Sequence, residues 1–356
     1  MQDNHPGKVL IISSGETSAG AHDMYQRVFE TLPRPVRVAI LESPAGFELN
    51  SPLVAGKVAD FIKISMRNFS PSITVIPARR RDGYFSTNNP EIVEPMLQAN
   101  FLYMGAGSPT YAVRQLKDSL AFRYLLGRHQ NGAAICLSSA AAIAFGSKAL
   151  PVYEVYKAGH DLHWVDGLDF FGPFGLDLAI VTHWDNREGG AQLDTSRCFM
   201  GRSRMAHLRR MLPSHTLVVG IDEHTGLLFD FETEQCHVVG NGGASILGRG
   251  CEEAYKAGTA FAMGRLGRYH PAAEVPAYGP PVEAATGTTE LELQPSEEVL
   301  DLVRKREAIR EARNWAEADA LRQQIAEMGF EVQDTKEGPR LRYKGAVSRG
   351  AVSREQ

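Results

Sequence analysis

The residues that could do chemistry fall in a few places. The segment CLSSAAAIAFG carries Ser138 and Ser139 where an apolar run gives way to an apparent helix. A strand–turn–helix of this kind is the context of a nucleophile elbow, which lifts one side chain above a sheet at a helix N-terminus. A serine hydroxyl is a weak nucleophile at neutral pH and needs a base. His183 ends the run LAIVTHW, at the close of an apolar strand and just before Trp184. A lone histidine is more often structural than catalytic, but this position raises His183 above the others. His160 and His163 in GHDLHW lack the carboxylate or cysteine partners a metal site needs. An imidazole base is usually oriented by a carboxylate. Glu154, in PVYEVY, is an acid among apolar and aromatic neighbours, where an unpaired charge is costly. Asp185, two residues past His183, is the reserve.

These residues need a scaffold that brings distant segments together. Apolar runs at 9–13, 36–41, 73–76, 101–104, 133–137, 178–182 and 217–221 alternate with amphipathic stretches. That alternation predicts a parallel sheet covered by helices. Ligands of such sheets sit at the carboxyl ends of the strands, where Ser139 and His183 fall. Runs at 226–231 and 235–239 predict an antiparallel hairpin appended to the sheet.

The chain has 356 residues, 43% hydrophobic and 22% charged, with a formal net charge of −4. This is ordinary globular composition with no bulk attraction to nucleic acid or anionic membrane. The four cysteines form no CxxC pair, which fits a reducing, cytoplasmic setting, and Cys136 reads as a small core residue. No signal peptide or membrane span is expected.

The ordered segments resemble the peptidase E and cyanophycinase family of class I glutamine amidotransferase-like proteins. The family's elbow is similar to Gly-x-Ser-Ala-Gly-Ala, and Leu137-Ser138-Ser139-Ala140-Ala141-Ala142 aligns Ser139 with its nucleophile. Leu137 and Ala141 stand where the family usually has glycine. Thr17-Ser18-Ala19-Gly20-Ala21 spells the motif more literally, but it follows the first strand, whereas the family's nucleophile follows a later one. Ser18 is therefore read as a loop residue or helix cap. The resemblance implies a flavodoxin-like, mostly parallel sheet sandwiched by helices. It also implies that the loop Gly105-Ala106-Gly107, together with the Ala140 amide, supplies an oxyanion hole. Glu154, fifteen residues beyond Ser139, matches the family's spacing for the orienting carboxylate. Gly220-Ile221-Asp222-Glu223 resembles a rim turn in which Asp222 or Glu223 either contacts substrate or shapes the loop. Arg187, Arg197 and Arg202 are candidates for selecting an acidic substrate, with solvated surface charge the commoner outcome.

The composition shifts to Pro, Ala, Thr and Gly near residue 269. The expected organisation is an α/β domain at 1–268, a linker at 269–296, a small module at 297–344 and a disordered tail at 345–356. The module predicts a helical hairpin followed by a short β-hairpin turning near 336–339. Its residues Arg306, Arg310, Arg313, Trp315, Ala318, Asp319, Arg322, Gly329, Asp334, Thr335 and Gly338 resemble the C-terminal piece of cysteinyl-tRNA synthetases. Ala312, Trp315, Ala316, Ile325 and Met328 are expected to form its inner face, with an Asp319–Arg322 pair. Residues 297–344 hold ten Lys/Arg and eleven Asp/Glu, without the basic excess usual for a tRNA surface, although Arg304, Lys305, Arg306, Arg310 and Arg313 share one helix. No synthetase adenylation motif is present in the sequence.

The leading expectation is a serine hydrolase cleaving a peptide or isopeptide bond through Ser139, His183 and Glu154. Gly105, Ala106, Gly107 and Ala140 would stabilise the oxyanion, and Asp222, Glu223, Arg187 and Asp185 would face the substrate. No cofactor, metal or membrane is called for. The partners implied are a small peptide-like substrate, tRNA through the C-terminal module, and a second copy of the chain. A catalytically degenerate binding module and a tRNA-linked protein are the rival classes.

Overall fold

The structure, a computed structural model, describes residues 5–248, 251–278, 297–312, 314–328, 330–335 and 338–343. The expected tail, residues 279–296 of the expected linker, Arg313, Gly329 and the turn residues 336–337 lie outside the described residues.

The strands are β1 (Val9–Ile12), β2 (Arg37–Leu41), β3 (Ser72–Ile76), β4 (Phe101–Met104), β5 (Ala134–Ser138), β6 (Lys148–Ala149), β7 (Val165–Asp166), β8 (Leu178–Val181), β9 (Leu217–Ile221), β10 (Thr225–Asp230), β11 (Gln235–Gly240), β12 (Gly243–Gly248), β13 (Cys251–Lys256), β14 (Ala260–Ala262), β15 (Phe330–Thr335) and β16 (Gly338–Tyr343). The large sheet runs β14-β11-β10-β1-β5-β4-β2-β3. From β1 to β3 all neighbours are parallel, and β10, β11 and β14 extend the β1 edge antiparallel.

Side chains alternate across this sheet with period two. Val9, Ile11, Leu102, Met104, Ile135 and Leu137 enter one core, and Leu10, Ile12, Phe101, Tyr103, Ala134 and Cys136 enter the other. Burial on both faces is why these strands read as continuous apolar runs. Helix Ala21–Phe29 covers the second core with Ala21, Met24, Tyr25, Val28 and Phe29, a one-face helical spacing. Burying each of the larger of these contributes roughly 1.5–3 kcal/mol. Helices Pro109–Leu116, Leu120–Gln130 and Ala140–Ala144 cover the first.

The runs at 178–182 and 217–221 are strands, but they do not join the large sheet. They pair in parallel as β8 and β9 in a second sheet, β13-β12-β9-β8. Antiparallel β12 and β13 complete it. Glycines at both ends of β12 hid this strand from a propensity reading.

The stretch expected to be a linker begins as a strap. Tyr269, Ala272, Val275 and Tyr278 pack on the first core. The Tyr278 hydroxyl lies 2.8 Å from Nδ1 of the buried His129, and the His270 amide bonds the Phe174 carbonyl at 2.9 Å.

The C-terminal residues form helix Glu297–Glu311, helix Trp315–Glu327 and the β15–β16 hairpin. Val299, Val303, Ile325, Phe330 and Val332 make their core. The expected inner face is corrected by the cap. Asn314 and Glu317 bond through their side chains at 2.8 Å at the helix start, and Trp315 in that first turn is 59% exposed. Ala312 and Ala316 are exposed too, and Ala318 takes the inner place beside Ile325. Asp319–Arg322 is not among the ion pairs of the described residues. Arg322 donates to the Val332 carbonyl instead, at 3.3 Å.

Candidate active site

Ser139 stands at the carboxyl end of β5, between β1 and β4. Its φ of 48° and ψ of −112° put a non-glycine residue in a strained conformation. The strain is held from several sides. The Ser139 amide donates to the Ile12 carbonyl at 3.0 Å, the Ala141 amide to Gly105 at 3.3 Å, and the Ile143 amide to Ser139 at 3.2 Å. The missing elbow glycines are accommodated: Leu137 points into the first core, and Ala141 is fully buried beneath the turn.

Ser139 Oγ lies 3.0 Å from His183 Nε2. His183 follows β8, and its Nδ1 lies 3.0 Å from Glu223 Oε1. A carboxylate is an acceptor only, so Nδ1 carries the proton and Nε2 is free to accept from Ser139. Parallel pairing explains how His183 and Glu223 meet. Val181 of β8 is level with Gly220 of β9, so the residues just beyond each strand stand side by side.

Several contacts fix this pair. The His183 amide donates to Ser13 Oγ at 2.7 Å, and Ser13 Oγ donates to the Ile221 carbonyl at 2.9 Å. Ser13 follows β1, so it rivets the large sheet to the second one. Asn186 Nδ2 donates to Glu223 Oε1 at 3.0 Å, and the Glu223 amide donates to Asp185 Oδ1 at 2.7 Å. Burial would raise the Glu223 carboxyl, but hydrogen bonds from His183 and Asn186 outweigh it and hold the group below its ordinary value. Trp184 lies against Gly220, where a Cβ would meet the ring at 2.2 Å. Arg197 stacks on Trp184 at 3.9 Å and donates to its carbonyl at 2.7 Å. Arg197 is thus a clamp on the residue next to His183.

Glu154 is not the partner of His183. Its Oε1 accepts from Thr110 Oγ1 at 2.5 Å, and Thr110 contacts Ser108 at the start of helix Pro109–Leu116. The physical reason is that Glu154 sits on the short helix Val152–Tyr156, whereas the end of β9 is already beside the imidazole. Asp185 supports the Glu223 backbone. Asp222 accepts from the Gly243 amide at 2.8 Å; burial first and the Asp185 charge second raise its carboxyl. Arg187 and Arg202 are exposed. Ser18 lies in the turn before helix Ala21–Phe29, its amide bonded to Gly15 and its carbonyl to Ala21.

The loop after β4 approaches the elbow. Gly107 has φ +144°, and a Cβ there would fall 1.9 Å from the Pro44 carbonyl oxygen. The Ser108 amide bonds that same oxygen at 2.9 Å, which pins the loop. The amides of Gly105, Ala106, Gly107 and Ala140 have no backbone partner among the described residues. Unsatisfied amides beside a nucleophile suit an oxyanion.

Ser13 and Asn186 were missed in the sequence, and Glu223 was read only as a rim residue. A signal existed for Glu223: two adjacent apolar runs, each ending in a polar turn, place those turns together when the strands pair in parallel. Among the described residues no group of three or more His, Cys, Asp or Glu side chains is arranged to hold a metal ion. No described helix is long and apolar enough to cross a membrane.

Comparison with known proteins separates the chain into two parts. Residues 295–342 match the family model described as the cysteinyl-tRNA ligase anticodon binding domain. The same part is 48% identical over 46 residues to the cysteine–tRNA ligase of Chlamydia felis (strain Fe/C-56), and 51% identical over 55 residues to that of Chlamydia abortus (strain DSM 27085 / S26/3). These matches take in 13% and 15% of this chain, and the chain spans only 10% and 11% of those ligases. The large domain is similar to the crystal structure of a peptidase from an acI-B1 Actinobacterium. The TM-score is 0.59, over 73% of this chain and 98% of that one, at 19% identity. At that identity the likeness establishes the fold.

Proposed function

We propose that the chain is a serine hydrolase that cleaves a peptide or isopeptide bond. Ser139 attacks the carbonyl carbon, and His183 takes the hydroxyl proton and returns it to the leaving amine. Glu223, in the role first expected of Glu154, orients the imidazole and stabilises its cation. The amides of Gly105–Gly107 and Ala140 receive the negative charge on the carbonyl oxygen. The reading is carried by the unbroken line Ser139 Oγ–His183 Nε2 and His183 Nδ1–Glu223 Oε1, 3.0 Å at each step. The peptidase with a similar fold supports the choice of an amide substrate. The test is labelling with a fluorophosphonate. Wild type should form an adduct at Ser139 and Ser139→Ala none; an unlabelled, folded wild type would leave a binding module without catalysis as the better account.

A second reading rests on the family match at 295–342: the C-terminal module contacts tRNA. Arg304, Arg306 and Arg310 are engaged by Asp301, Glu307 and Asp334, so phosphate contacts would fall to other residues. Salt-dependent tRNA binding that is lost on deleting 297–356 is expected. Absence of binding at low salt would end this reading.

A further inference from the structure

Three consecutive residues beside the base have left-handed backbones. Arg197, Cys198 and Phe199 have φ of 60°, 58° and 67°, and none is glycine. Residues with a Cβ visit this region singly, so a run of three is strained. Neighbouring groups hold it. The Arg197 amide donates to the Trp184 carbonyl at 2.9 Å, the Cys198 amide to the His183 carbonyl at 3.0 Å and the Phe199 amide to the Thr195 carbonyl at 2.9 Å. Arg204 donates to the Phe199 carbonyl at 2.8 Å. The run ends by setting the Phe199 ring 6.3 Å from the His183 imidazole, centre to centre.

Tyr156 lies against Phe199, with ring centres 5.0 Å apart and planes 34° from parallel. Both rings are half-buried, so each keeps some surface open to solvent. Tyr156 ends the short helix Val152–Tyr156, whose Glu154 accepts from Thr110 just beyond the oxyanion loop. That helix therefore reaches from the oxyanion loop to the neighbourhood of the imidazole, the two groups that flank Ser139. Its aromatic end is on the imidazole's side. His183 returns its proton to the leaving amine, so the residue that carries this amine stands on the same side. Adjacent aromatic rings bury a flat apolar group well and pair with it edge or face on. Lys157 already stands over Tyr156, 5.1 Å from the ring centre, which disfavours a second cation. The nearby carboxylates of Glu154 and Glu223 disfavour an acid.

We propose that Phe199 and Tyr156 form the subsite for the residue on the amine side of the scissile bond, and that this subsite takes an aromatic side chain. This rests on the hydrolase reading above and names part of its substrate. Phe199 is the specificity-determining residue, and the strained Arg197–Cys198 stem presents it.

The test uses dipeptide libraries on the full chain, with free and with acetylated amino termini. The acyl-side residue is an equimolar mixture, and the amine-side residue is fixed as phenylalanine, alanine, lysine or aspartate. Release of the amine-side residue is followed by mass spectrometry, beside labelling with a plain fluorophosphonate, which carries no amine-side residue. Wild type should release phenylalanine about 10–100 times faster than alanine, the worth of burying one aromatic side chain. That ratio should fall to within about threefold in Phe199→Ala, fall in Tyr156→Ala, and be partly kept in Phe199→Leu, which restores apolar surface. The ratio is taken within one protein, so a general loss of activity through a disturbed His183 lowers both rates and leaves it unchanged. Circular dichroism checks the folds, and the wild-type ratio stands without any variant. The assignment is overturned if wild type releases phenylalanine and alanine equally, or lysine or aspartate fastest. It is equally overturned if the ratio survives both alanine variants, or if the fluorophosphonate labels Ser139 while no dipeptide is cut. If no reagent labels Ser139 and nothing is cut, the hydrolase reading itself fails and takes the subsite with it.

Discussion

Replacing Glu223 by glutamine tests the candidate site at its most informative point. Asn186 Nδ2 and His183 Nδ1 both address Glu223 Oε1, each at 3.0 Å, so the amide oxygen of a glutamine can keep both contacts. Geometry survives and only the charge is lost. The side chains of His183 and Glu223 are 20% and 29% exposed, so a near-surface effective dielectric of about 20 applies. Opposite charges centred about 4 Å apart are then worth about 4 kcal/mol. That energy stabilises the imidazolium formed as Ser139 gives up its proton, so kcat/KM should fall about a thousandfold. If the glutamine flips and presents its NH2, the proton moves to Nε2 and the loss approaches about ten-thousandfold. The assay is turnover of a peptide substrate, with fluorophosphonate labelling rate as a second readout. Glu154→Gln, measured alongside, should keep activity within about tenfold, since among the described residues the Glu154 carboxylate bonds Thr110 and not His183. Activity of Glu223→Gln within threefold of wild type, or a larger loss in Glu154→Gln, would refute the assignment of Glu223. Acid stability moves with the same group. Its folded pKa is depressed, so its contribution is present above the ordinary glutamate value and is lost as pH falls through the depressed one.

Three further outcomes are expected. Ser13→Ala leaves the His183 amide without its acceptor and takes from the Ile221 carbonyl one of its two donors, the Trp184 amide at 3.0 Å remaining, which should cost about 1–3 kcal/mol in denaturant unfolding. It should also lower kcat/KM about ten- to a hundredfold by loosening His183, and unchanged kinetics would deny Ser13 its positioning role. Gly107→Ala forces a Cβ against the Pro44 carbonyl at φ +144° and should lower stability by about 2–4 kcal/mol, read as a drop in Tm with a slower acylation rate. His129 is buried and its pKa is lowered to about 3, chiefly by desolvation. Below the unfolded value near 6.5 only the unfolded chain takes up this proton, so stability falls between about pH 6.5 and pH 3, by on the order of 4 kcal/mol in total. His129→Phe should flatten the Tm-versus-pH curve over that window; an unchanged slope would deny His129 this role.

Much of the frame could be read from period and punctuation. The parallel strands β1 to β5 announce themselves as short apolar runs because both of their faces are buried, and Ser139 follows from the turn after one of them. The error over Glu154 has a physical origin. Spacing along the chain measures distance only inside one element, whereas His183 is oriented from a neighbouring strand that returns forty residues later. Strand pairing is a tertiary fact, and nothing local to Glu154 or Glu223 reveals which acid reaches the imidazole. Ser13 was opaque for the same reason, since a serine after a strand reads as a turn until its partners at His183 and Ile221 are known. Trp315 misled in another way: a tryptophan invites a core assignment, but the cap formed by Asn314 and Glu317 sets the helix phase and turns the ring outward.

The serine and its base stand on different sheets, with Ser13 bridging them, and this bears on how the protein comes into being. A ribosome delivers Ser139 first and Glu223 84 residues later, on the order of ten seconds at about 5–20 residues per second. During that interval the nascent chain can build the parallel sheet around a serine whose base, His183, has no carboxylate to orient it. Reactivity would arrive only once β9 docks beside β8. A chain cut short before Glu223, or nicked so that the second sheet comes away, would keep a folded half with an idle hydroxyl. Dividing the machinery between two sheets would thus make an incomplete molecule a harmless one.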